Sequence, residues 1–332
     1  MSPSAYNGDG PSIDANGSHQ KRALAPGIYV PTLAFFDPET DELDTKTVTK
    51  HAVRLAKSGV TGLAVQGSNG EAVHLTFEER ARVTSATRSA LDGAGFDDMP
   101  LIVGCGAQST FEAISLCKQA AANGGDYALV LPPSYYSGLF DKETVVSYFN
   151  EVADKSPVPI IIYNYPGATP GLDLNSDTLI TLSKHDNIIG CKFTCGNTGK
   201  LSRVASATKS SGTNFLCFSG SFDFTLPSIA AGGSGVIGGL GNVTPCAGVR
   251  LWDLAMDAKR ADEARELQRV VAEGDWMMIQ TGVVGVKAAL RDGYGYGGWA
   301  RRPLPRLGEE KVAWIRDGMK ALLDVEKELE SS

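Results

Sequence analysis

The sequence predicts a closed (β/α)₈ TIM barrel of the α/β class with additional C-terminal helices. The first observation is that eight short apolar runs, rich in β-branched residues, recur along the chain. The second is that a polar, amphipathic stretch of helical length follows each run, as in parallel α/β sheets. The third is extent, because eight such units fill roughly 230 residues, which suits a closed barrel.

Eight strands and eight helices are predicted in alternation. Thr76, with Glu79 three residues later, forms a capping box, and Asp141 is an N-cap before the fourth helix. An open, doubly wound sheet is the alternative, but the glycines at 104 and 106 lack the third glycine of a dinucleotide-binding turn. The strands are 27–36, 62–67, 100–106, 127–133, 159–166, 188–194, 215–220 and 235–239, and the helices are 45–58, 76–91, 110–123, 142–155, 175–184, 199–209, 222–231 and 244–258.

After the eighth unit the chain stays helical, over 261–273, 276–290 and 309–330. We place these helices against the barrel because no Pro/Ser-rich linker marks a boundary, and a separate C-terminal domain is the alternative. Residues 1–26 are rich in Ser, Gly, Asn and Asp, a composition typical of a disordered tail. The expected organisation is a tail over 1–26, a barrel over 27–258 and packed helices over 259–332.

Composition and charge argue against several classes of function. The 31 Lys/Arg and 38 Asp/Glu residues give a net charge of −7 without a basic cluster, which disfavours a nucleic-acid partner. No apolar run is long enough to span a bilayer, so no membrane association is expected. Residues 1–26 lack both the apolar core of a signal peptide and the Arg-rich pattern of a transit peptide, which predicts a cytoplasmic protein.

The six cysteines and four histidines give no metal or disulfide pattern. None of the cysteines forms a CxxC pair or has zinc-like spacing, and the histidines are scattered. Several cysteines lie within apolar runs, where a free cysteine behaves as a small hydrophobic residue. We therefore interpret them as reduced packing thiols, and no metal site is predicted.

Lys192 is the strongest catalytic candidate because it lies inside the buried apolar run 188–194. An unpaired ammonium group would be costly there, whereas a neutral amine is a nucleophile that can form a Schiff base. Alternation along a strand places Lys192 and Thr194 toward the barrel interior, and Cys191 and Phe193 toward the helices. The alternative is a lysine at a strand end whose amine reaches solvent.

Other candidates follow the carboxyl ends of strands, where barrel enzymes place their active sites. Tyr163 can move a proton or hold a carbonyl oxygen, or it can simply fill the core. GSNGE at 67–71 can form an anion-binding backbone nest or an ordinary glycine turn. Tyr135 and Tyr136 are adjacent on a loop and suggest a lid or a subunit contact. The glycines at 232–241 flank the eighth strand, and tight turns are the preferred interpretation.

These segments together resemble the dihydrodipicolinate synthase / N-acetylneuraminate lyase family of class I aldolases over about residues 27–307. GSNGE is similar to the family's carboxylate loop, YNYP at 163–166 to its proton-shuttling segment, and GCKFTCGN at 190–197 to its Schiff-base segment. SGS at 219–221 and GVIGG at 235–239 match the ends of the last two strands. The resemblance implies a carbon–carbon lyase acting on a pyruvate-like 2-oxo acid.

The resemblance also implies a role for each motif residue. Lys192 forms the imine with the substrate's 2-oxo group, and Tyr163 relays the proton of the substrate hydroxyl. Ser68 links Tyr163 to Tyr135, which reaches in from a neighbouring subunit of a homotetramer built as a dimer of dimers. The backbone amides of Ser68 and Asn69 hold the substrate carboxylate.

At the last two strand ends, the resemblance places Gly220 beside the substrate and the carbonyl of Ile237 opposite the imine. No metal or other cofactor is implied, because the protonated imine is itself the electron sink. The expected partner is a small-molecule 2-oxo acid.

The segment after YNYP separates possible substrates. Dihydrodipicolinate synthases usually carry an Arg there that grips a second carboxylate, whereas this chain has Ala168 at about that position. GSNGE and GLDL at 171–174 are similar to the 4-hydroxy-2-oxoglutarate and fungal 2-keto-3-deoxy sugar-acid aldolases of the family. We predict cleavage of a 2-keto-3-deoxy sugar acid such as 2-keto-3-deoxy-L-galactonate. The alternatives are 4-hydroxy-2-oxoglutarate cleavage, dihydrodipicolinate synthesis, and a non-catalytic homologue that only binds 2-oxo acids.

Overall fold

Eight parallel strands form a closed barrel in chain order, and the eighth strand pairs back with the first. The computed structural model describes residues 22–331. The predicted fold class is confirmed, although most strands are shorter than their apolar runs; residues 32–36, for example, are buried beyond the first strand's ladder. The strands are β1 Gly27–Pro31, β2 Gly62–Val65, β3 Leu101–Gly104, β4 Tyr127–Val130, β5 Ile160–Asn164, β6 Ile188–Phe193, β7 Leu216–Ser219 and β8 Gly235–Ile237.

A helix follows each strand on the outside of the barrel, and the predicted caps are present. The Thr76 hydroxyl accepts the Glu79 amide at 3.2 Å, while the Glu79 carboxylate accepts the Thr76 amide at 2.9 Å. The Asp141 carboxylate accepts the Thr144 amide at 2.7 Å. The helices are α1 Thr45–Lys57, α2 Phe77–Gly93, α3 Thr110–Ala122, α4 Lys142–Lys155, α5 Ser176–Leu182, α6 Thr198–Ser210, α7 Thr225–Ala230 and α8 Pro245–Met256.

The core has two layers, because alternate strand residues point to opposite faces of the sheet. The outer layer packs the strands against the helices. The inner layer fills the barrel and includes Tyr29, Ile102, Ile161 and Phe218, with the Tyr29 and Phe218 rings edge to face at 5.4 Å. The interior is therefore packed, which leaves the carboxyl ends of the strands for chemistry.

Residues 22–26, which the sequence assigned to the tail, pack across the amino-terminal end of the barrel. Leu24 is 8% exposed and joins the inner layer. The Tyr29 hydroxyl donates to the Ala25 carbonyl at 2.8 Å, and the Tyr127 hydroxyl donates to the Arg22 carbonyl at 2.6 Å. The rest of the predicted tail, residues 1–21, lies outside the described residues.

Two long helices, α9 (Ala261–Tyr294) and α10 (Glu309–Glu330), pack on each other and on α8. The predicted break between 273 and 276 is wrong, because Gly274 packs closely against Leu322 of α10 and Asp275 is buried. The interruption lies instead at Gly282, whose φ of 59° and ψ of −156° are not helical. Within residues 22–331, no helix combines the length and hydrophobicity that crossing a membrane requires.

Candidate active site

Lys192 and Tyr163 are direct neighbours on adjacent strands, since they are register partners of β6 and β5. Both side chains are buried, at 3% and 4% exposed, and the Lys192 Nζ lies 4.2 Å from the centroid of the Tyr163 ring. Cys191 and Phe193 are fully buried in the outer layer, as the alternation predicted. The fold thus brings an amine and a phenol together inside the barrel.

The Lys192 amine has no charged partner in the described chain. Over residues 22–331, no carboxylate lies within ion-pair distance of its Nζ, and no hydrogen bond holds it. Among residues 22–331, two other lysines are buried, Lys200 and Lys287, and each is paired with a carboxylate. Lys192 therefore differs from them in having an amine that no protein group blocks from attack on a carbonyl.

Thr194 and Gly220 meet beside this pair, where β6 and β7 end. A methyl group added to Gly220 would lie 2.1 Å from the Thr194 Oγ1, so only glycine fits there. Among the described residues, the buried Thr194 hydroxyl has no hydrogen-bond partner. Buried polar groups are nearly always satisfied, so this hydroxyl is a candidate contact for a substrate oxygen. Sequence analysis assigned Thr194 to the interior face without giving it a function.

The loop after β2 presents two free backbone donors. The Gly70 amide donates to the Gly67 carbonyl at 3.0 Å and the Glu71 amide to the Ser68 carbonyl at 3.2 Å, which closes a tight turn. Within residues 22–331, no hydrogen bond uses the amides of Ser68 and Asn69. Consecutive free amides in a turn are typical of an anion-binding nest.

The same loop reaches the end of β8. The Asn69 side chain lies against Gly239, where an added Cβ would be 2.8 Å from its Nδ2 atom. Ile237 is fully buried in the inner layer and pairs with Tyr29 of β1. The predicted carboxylate loop therefore reaches past β1, which pairs with both β2 and β8, to the strand end that carries the predicted carbonyl.

Tyr135 does not reach this site within its own chain. It is 79% exposed, and its ring packs edge to face against Tyr136 at 4.9 Å. Ser68 is exposed as well, and no hydrogen bond in the described chain joins it to Tyr163 or Tyr135. The relay among these three residues stays a prediction that requires a second subunit.

The loop after β5 contains Ala168 and is fixed by a polar cluster. Asp173 accepts hydrogen bonds from Lys200 and from the Asn164 amide, the latter at 2.8 Å. Burial alone would raise the pKa of Asp173, but these two donors outweigh burial and keep the pKa below its ordinary value. Thr169 is buried, and its hydroxyl donates to the Tyr165 carbonyl at 3.0 Å. The buried ammonium group beside this loop is therefore already neutralised.

Two arginines that are distant in sequence from this loop, Arg301 and Arg250, do not supply a free cation to it. The Arg301 guanidinium is held by both Glu79 carboxylate oxygens, at 2.7 and 2.6 Å, and by the His74 carbonyl. Arg250 of α8 lines a surface cleft that it shares with Arg54 of α1. Arg301 is therefore already paired, and Arg250 lies in a different part of the surface from the β5 loop.

The loop after β7 is held by a buried acid of α9 that sequence analysis missed. Asp275 is 2% exposed and accepts the amides of Phe222 and Asp223 at 2.6 and 3.0 Å. Burial, and then the charge of Asp223, raise the pKa of Asp275 to about 7. The Ser221 hydroxyl donates to the Asp223 carboxylate at 2.6 Å. Through its bonds to the amides of Phe222 and Asp223, Asp275 therefore orders the loop that begins at Gly220.

One group of possible metal ligands lies outside this site, between α8 and α10. Ligand atoms of Cys246, Glu326 and Glu330 are within 4.8 Å of one another. Glu326 already accepts the amides of Cys246 and Ala247 at 3.0 and 2.8 Å, and Glu330 pairs with Arg54 at 3.3 Å. These contacts give the carboxylates a structural role at the start of α8.

Known proteins resemble this chain along nearly its whole length. The model of the dihydrodipicolinate synthetase family matches residues 25–322. A relative from Emericella nidulans, named "Probable 4-hydroxy-2-oxoglutarate aldolase, mitochondrial", is 53% identical over 93% of this chain and 99% of its own. The L-threo-3-deoxy-hexylosonate aldolase of Hypocrea jecorina is 49% identical over 92% of this chain and 99% of its own.

Solved structures agree. YagE of E. coli K12, a dihydrodipicolinic acid synthase family protein in complex with pyruvate, has a TM-score of 0.82 and 28% identity, over 92% of this chain and 99% of its own. A monomeric dihydrodipicolinate synthase variant has a TM-score of 0.84 and 27% identity, over 94% and 100% of the two chains. With the aldolase relatives, these matches make the protein a carbon–carbon lyase. The chain belongs to the dihydrodipicolinate synthetase family.

Proposed function

We propose that this protein is a Schiff-base aldolase that cleaves a 2-keto-3-deoxy sugar acid, such as 2-keto-3-deoxy-L-galactonate, to pyruvate and an aldehyde. The observation that carries the mechanism is the buried, unpaired Lys192 amine beside the Tyr163 ring at the strand ends. A nucleophilic amine and an adjacent phenol are the two groups that a retro-aldol reaction through an imine requires.

The proposed cycle moves one proton to and from Tyr163, whose phenol is intact at the start and at the end. The Lys192 amine adds to the 2-oxo carbon, and the Tyr163 phenol gives its proton to the departing hydroxyl group, so that water leaves and a protonated imine remains. The Tyr163 phenolate then takes the proton of the 4-hydroxyl group, the C3–C4 bond breaks, and its electron pair moves into the imine to give an enamine. The aldehyde leaves, Tyr163 gives the proton to C3, and hydrolysis of the imine by water releases pyruvate and returns the proton to Tyr163.

The other predicted residues have binding roles in this proposal. The free amides of Ser68 and Asn69 bind the substrate carboxylate, and Ile237 and Gly220 line the opposite side of the reacting carbon. The support is that these amides have no protein acceptor in the described chain and that Asn69 lies against the end of β8.

The absence of a free cation at the β5 loop favours a neutral distal chain on the substrate. A buried carboxylate needs a cationic partner, usually an Arg. Ala168 stands in that segment, and in the described chain the neighbouring Lys200 ammonium is neutralised by Asp173. Two of the relatives are named for a 3-deoxy-hexylosonate. The runner-up is 4-hydroxy-2-oxoglutarate, which the name of the 53% identical relative carries.

Trapping tests the imine. Incubation with pyruvate and borohydride is expected to add a mass to Lys192 and to no other lysine, as read by peptide mass spectrometry. EDTA is expected to leave turnover unchanged. A label elsewhere, or none, would remove the Schiff-base mechanism and leave the 2-oxo-acid-binding alternative.

Side-by-side kinetics test the substrate. The value of kcat/KM is expected to be higher for 2-keto-3-deoxy-L-galactonate than for 4-hydroxy-2-oxoglutarate, and condensation of pyruvate with aspartate semialdehyde to be negligible. If 4-hydroxy-2-oxoglutarate is preferred by about tenfold, or about 1.4 kcal/mol, the substrate assignment is wrong and the mechanism stands.

We also propose a homotetramer in which Tyr135 completes the neighbouring subunit's site. The support is that large apolar side chains following the adjacent strands β2, β3 and β4 are each more than 60% exposed, namely those of Val73, Phe111, Tyr135, Tyr136 and Leu139. Exposed apolar side chains that lie together often mark protein–protein contacts. Light scattering checks the assembly, and a fully active monomer would exclude the role of Tyr135.

A cytoplasmic location and a division between the barrel, residues 27–258, and the C-terminal helices, residues 259–332, complete the proposal, with residues 22–26 joined to the barrel that they pack against. A relative that is 53% identical has the word mitochondrial in its name. Imaging of the tagged full chain distinguishes the two locations, and import into mitochondria would overturn the cytoplasmic one. Limited proteolysis tests the division, and we expect no cleavage between the barrel and the C-terminal helices.

A further inference from the structure

The glycine-rich loop after β2 is flanked by two residues in an unfavourable backbone conformation, one at each end. Gln66 has a φ of 59° and Glu71 a φ of 49°, and both are buried. A left-handed conformation costs a residue other than glycine about 1–3 kcal/mol and persists only where the surroundings enforce it. The free amides of Ser68 and Asn69 lie between these two residues.

The first of these residues, Gln66, is held in place by α2. The Gln66 Nε2 donates to the Arg80 carbonyl at 2.6 Å and to the Thr84 hydroxyl at 2.7 Å. Its own carbonyl lies against Gly104 of β3, where an added Cβ would be 1.8 Å away. Glycine at this position of β3 therefore makes room for the left-handed turn.

The second of these residues, Glu71, is held in place by Lys287 of α9, which lies 216 positions further along the chain. Its Nζ donates to the Glu71 carboxylate at 2.6 Å and to the Trp299 carbonyl at 2.9 Å, and both side chains of the pair are 1% exposed. The Glu71 carboxylate also accepts the Arg301 amide at 2.9 Å. Burial lowers the pKa of Lys287, and the carboxylate opposes this effect.

The orientation of Glu71 determines the shape of the turn. Its amide donates to the Ser68 carbonyl, and the next amide, of Ala72, donates to the Gly67 carbonyl. If Glu71 relaxed from its left-handed conformation, both bonds would move, and so would the peptides that carry the free amides. The ion pair therefore acts on the carboxylate-binding end of the site and not on the Lys192 amine.

We infer that Glu71 and Lys287 are positioning residues whose buried ion pair holds the loop in the conformation that binds the substrate carboxylate. This inference rests on the proposed function, because it assumes that the free amides receive that carboxylate. The pair governs how tightly 2-oxo acids bind, and the chemistry at Lys192 proceeds without it once substrate is bound.

The experiment uses the full chain with Lys287→Met, Glu71→Gln and the double variant, because the single changes leave one buried partner uncompensated. Lys320→Met is the matched control, since Lys320 pairs with Asp324 on the surface of α10 and both are exposed. Each protein is titrated with pyruvate under borohydride, and labelled Lys192 is measured by mass spectrometry. Circular dichroism selects the variants that fold.

The half-saturating pyruvate concentration is expected to rise about 10- to 100-fold in the three pair variants, the effect of weakening hydrogen bonds to a charged group. Maximal labelling and kcat should stay within about threefold of the parent protein, and Lys320→Met should match the parent. A fall in kcat or in maximal labelling at an unchanged half-saturating concentration would overturn the inference.

A neutral substrate analogue separates positioning from general damage. Pyruvamide keeps the 2-oxo group and lacks the carboxylate, so its labelling curve is expected to be the same in the parent protein and in the folded pair variants. Equal weakening for pyruvate and pyruvamide would overturn the inference. If the parent protein itself fails to label with pyruvate, the proposed function fails. If the parent protein labels and the pair variants need no more pyruvate than it does, this inference alone fails.

Discussion

Lys192 and Lys287 are buried to nearly the same extent, at 3% and 1% exposed, but their surroundings differ. Lys287 lies 2.6 Å from the Glu71 carboxylate, whereas in the described chain Lys192 has the Tyr163 ring and no charged partner. An ammonium group paired with a carboxylate holds structure in place, and an unpaired amine can attack a carbonyl. Burial alone does not distinguish the two lysines; the presence or absence of a charged partner does.

The largest expected difference between the two lysines is in turnover. Lys192→Met is expected to lower kcat by ~10⁴-fold or more, because the covalent step is removed, while Lys287→Met at saturating substrate keeps most of its kcat. Aldehyde release from the same substrate measures both. Comparable losses of kcat would remove the functional distinction between the two residues.

Tyr163→Phe sharpens the comparison at Lys192, because the ring beside the amine is kept and only the hydroxyl is lost. Borohydride is expected still to trap pyruvate on Lys192, while kcat for cleavage falls by about 10²–10⁴-fold, the usual size of a general acid–base contribution. Near-normal turnover would make Tyr163 a packing residue.

The ranking of the two lysine variants is expected to reverse when the loss of unfolding free energy is compared instead of the loss of kcat. Lys287→Met leaves the Glu71 carboxylate buried without its counter-charge, which is expected to cost about 3–5 kcal/mol of unfolding free energy. Lys192→Met removes an unpaired polar group and should leave that free energy unchanged or higher. Urea unfolding at one pH measures both, and a larger loss for Lys192→Met would contradict the assignment of the structural pair.

Asp275 extends the comparison from buried lysines to a buried acid. Because its folded pKa of about 7 lies above the ordinary value of 3.8, its stabilising contribution is complete below the ordinary value and is lost as the pH rises to about 7. Relative to the parent protein, the free energy of unfolding of Asp275→Asn is expected to rise by up to about 4 kcal/mol as the pH rises from 4 to 8. Thermal unfolding across this range measures it, and a constant difference would show that Asp275 does not titrate there.

Local patterns were sufficient for much of the architecture. Eight apolar runs alternating with capped amphipathic helices predicted the barrel, because each unit follows from short-range periodicity and capping. The same alternation placed Lys192 inside and Cys191 and Phe193 outside. The position of Tyr163 beside Lys192 then follows from the register of two neighbouring strands.

Other features were missed because their signals are not local. Gly274 and Asp275 look like a helix break, but α10 and the β7 loop supply their partners, so the helix continues to Gly282. Residues 22–26 look like part of a polar tail, yet two tyrosine hydroxyls from the barrel hold them. Propensity is a weak prior that tertiary contacts override.

The amino-acid sequence by itself therefore determined the barrel and the interior face of β6, and it made Lys192 the candidate nucleophile, since these depend on neighbours within a few residues. Only the tertiary structure decided which buried charges are paired. Glu71 and Lys287 are separated by 216 positions, and Asp275 meets Phe222 across 53. The free energy of a buried charge depends on what lies a few ångströms away in space, and no local pattern records that distance.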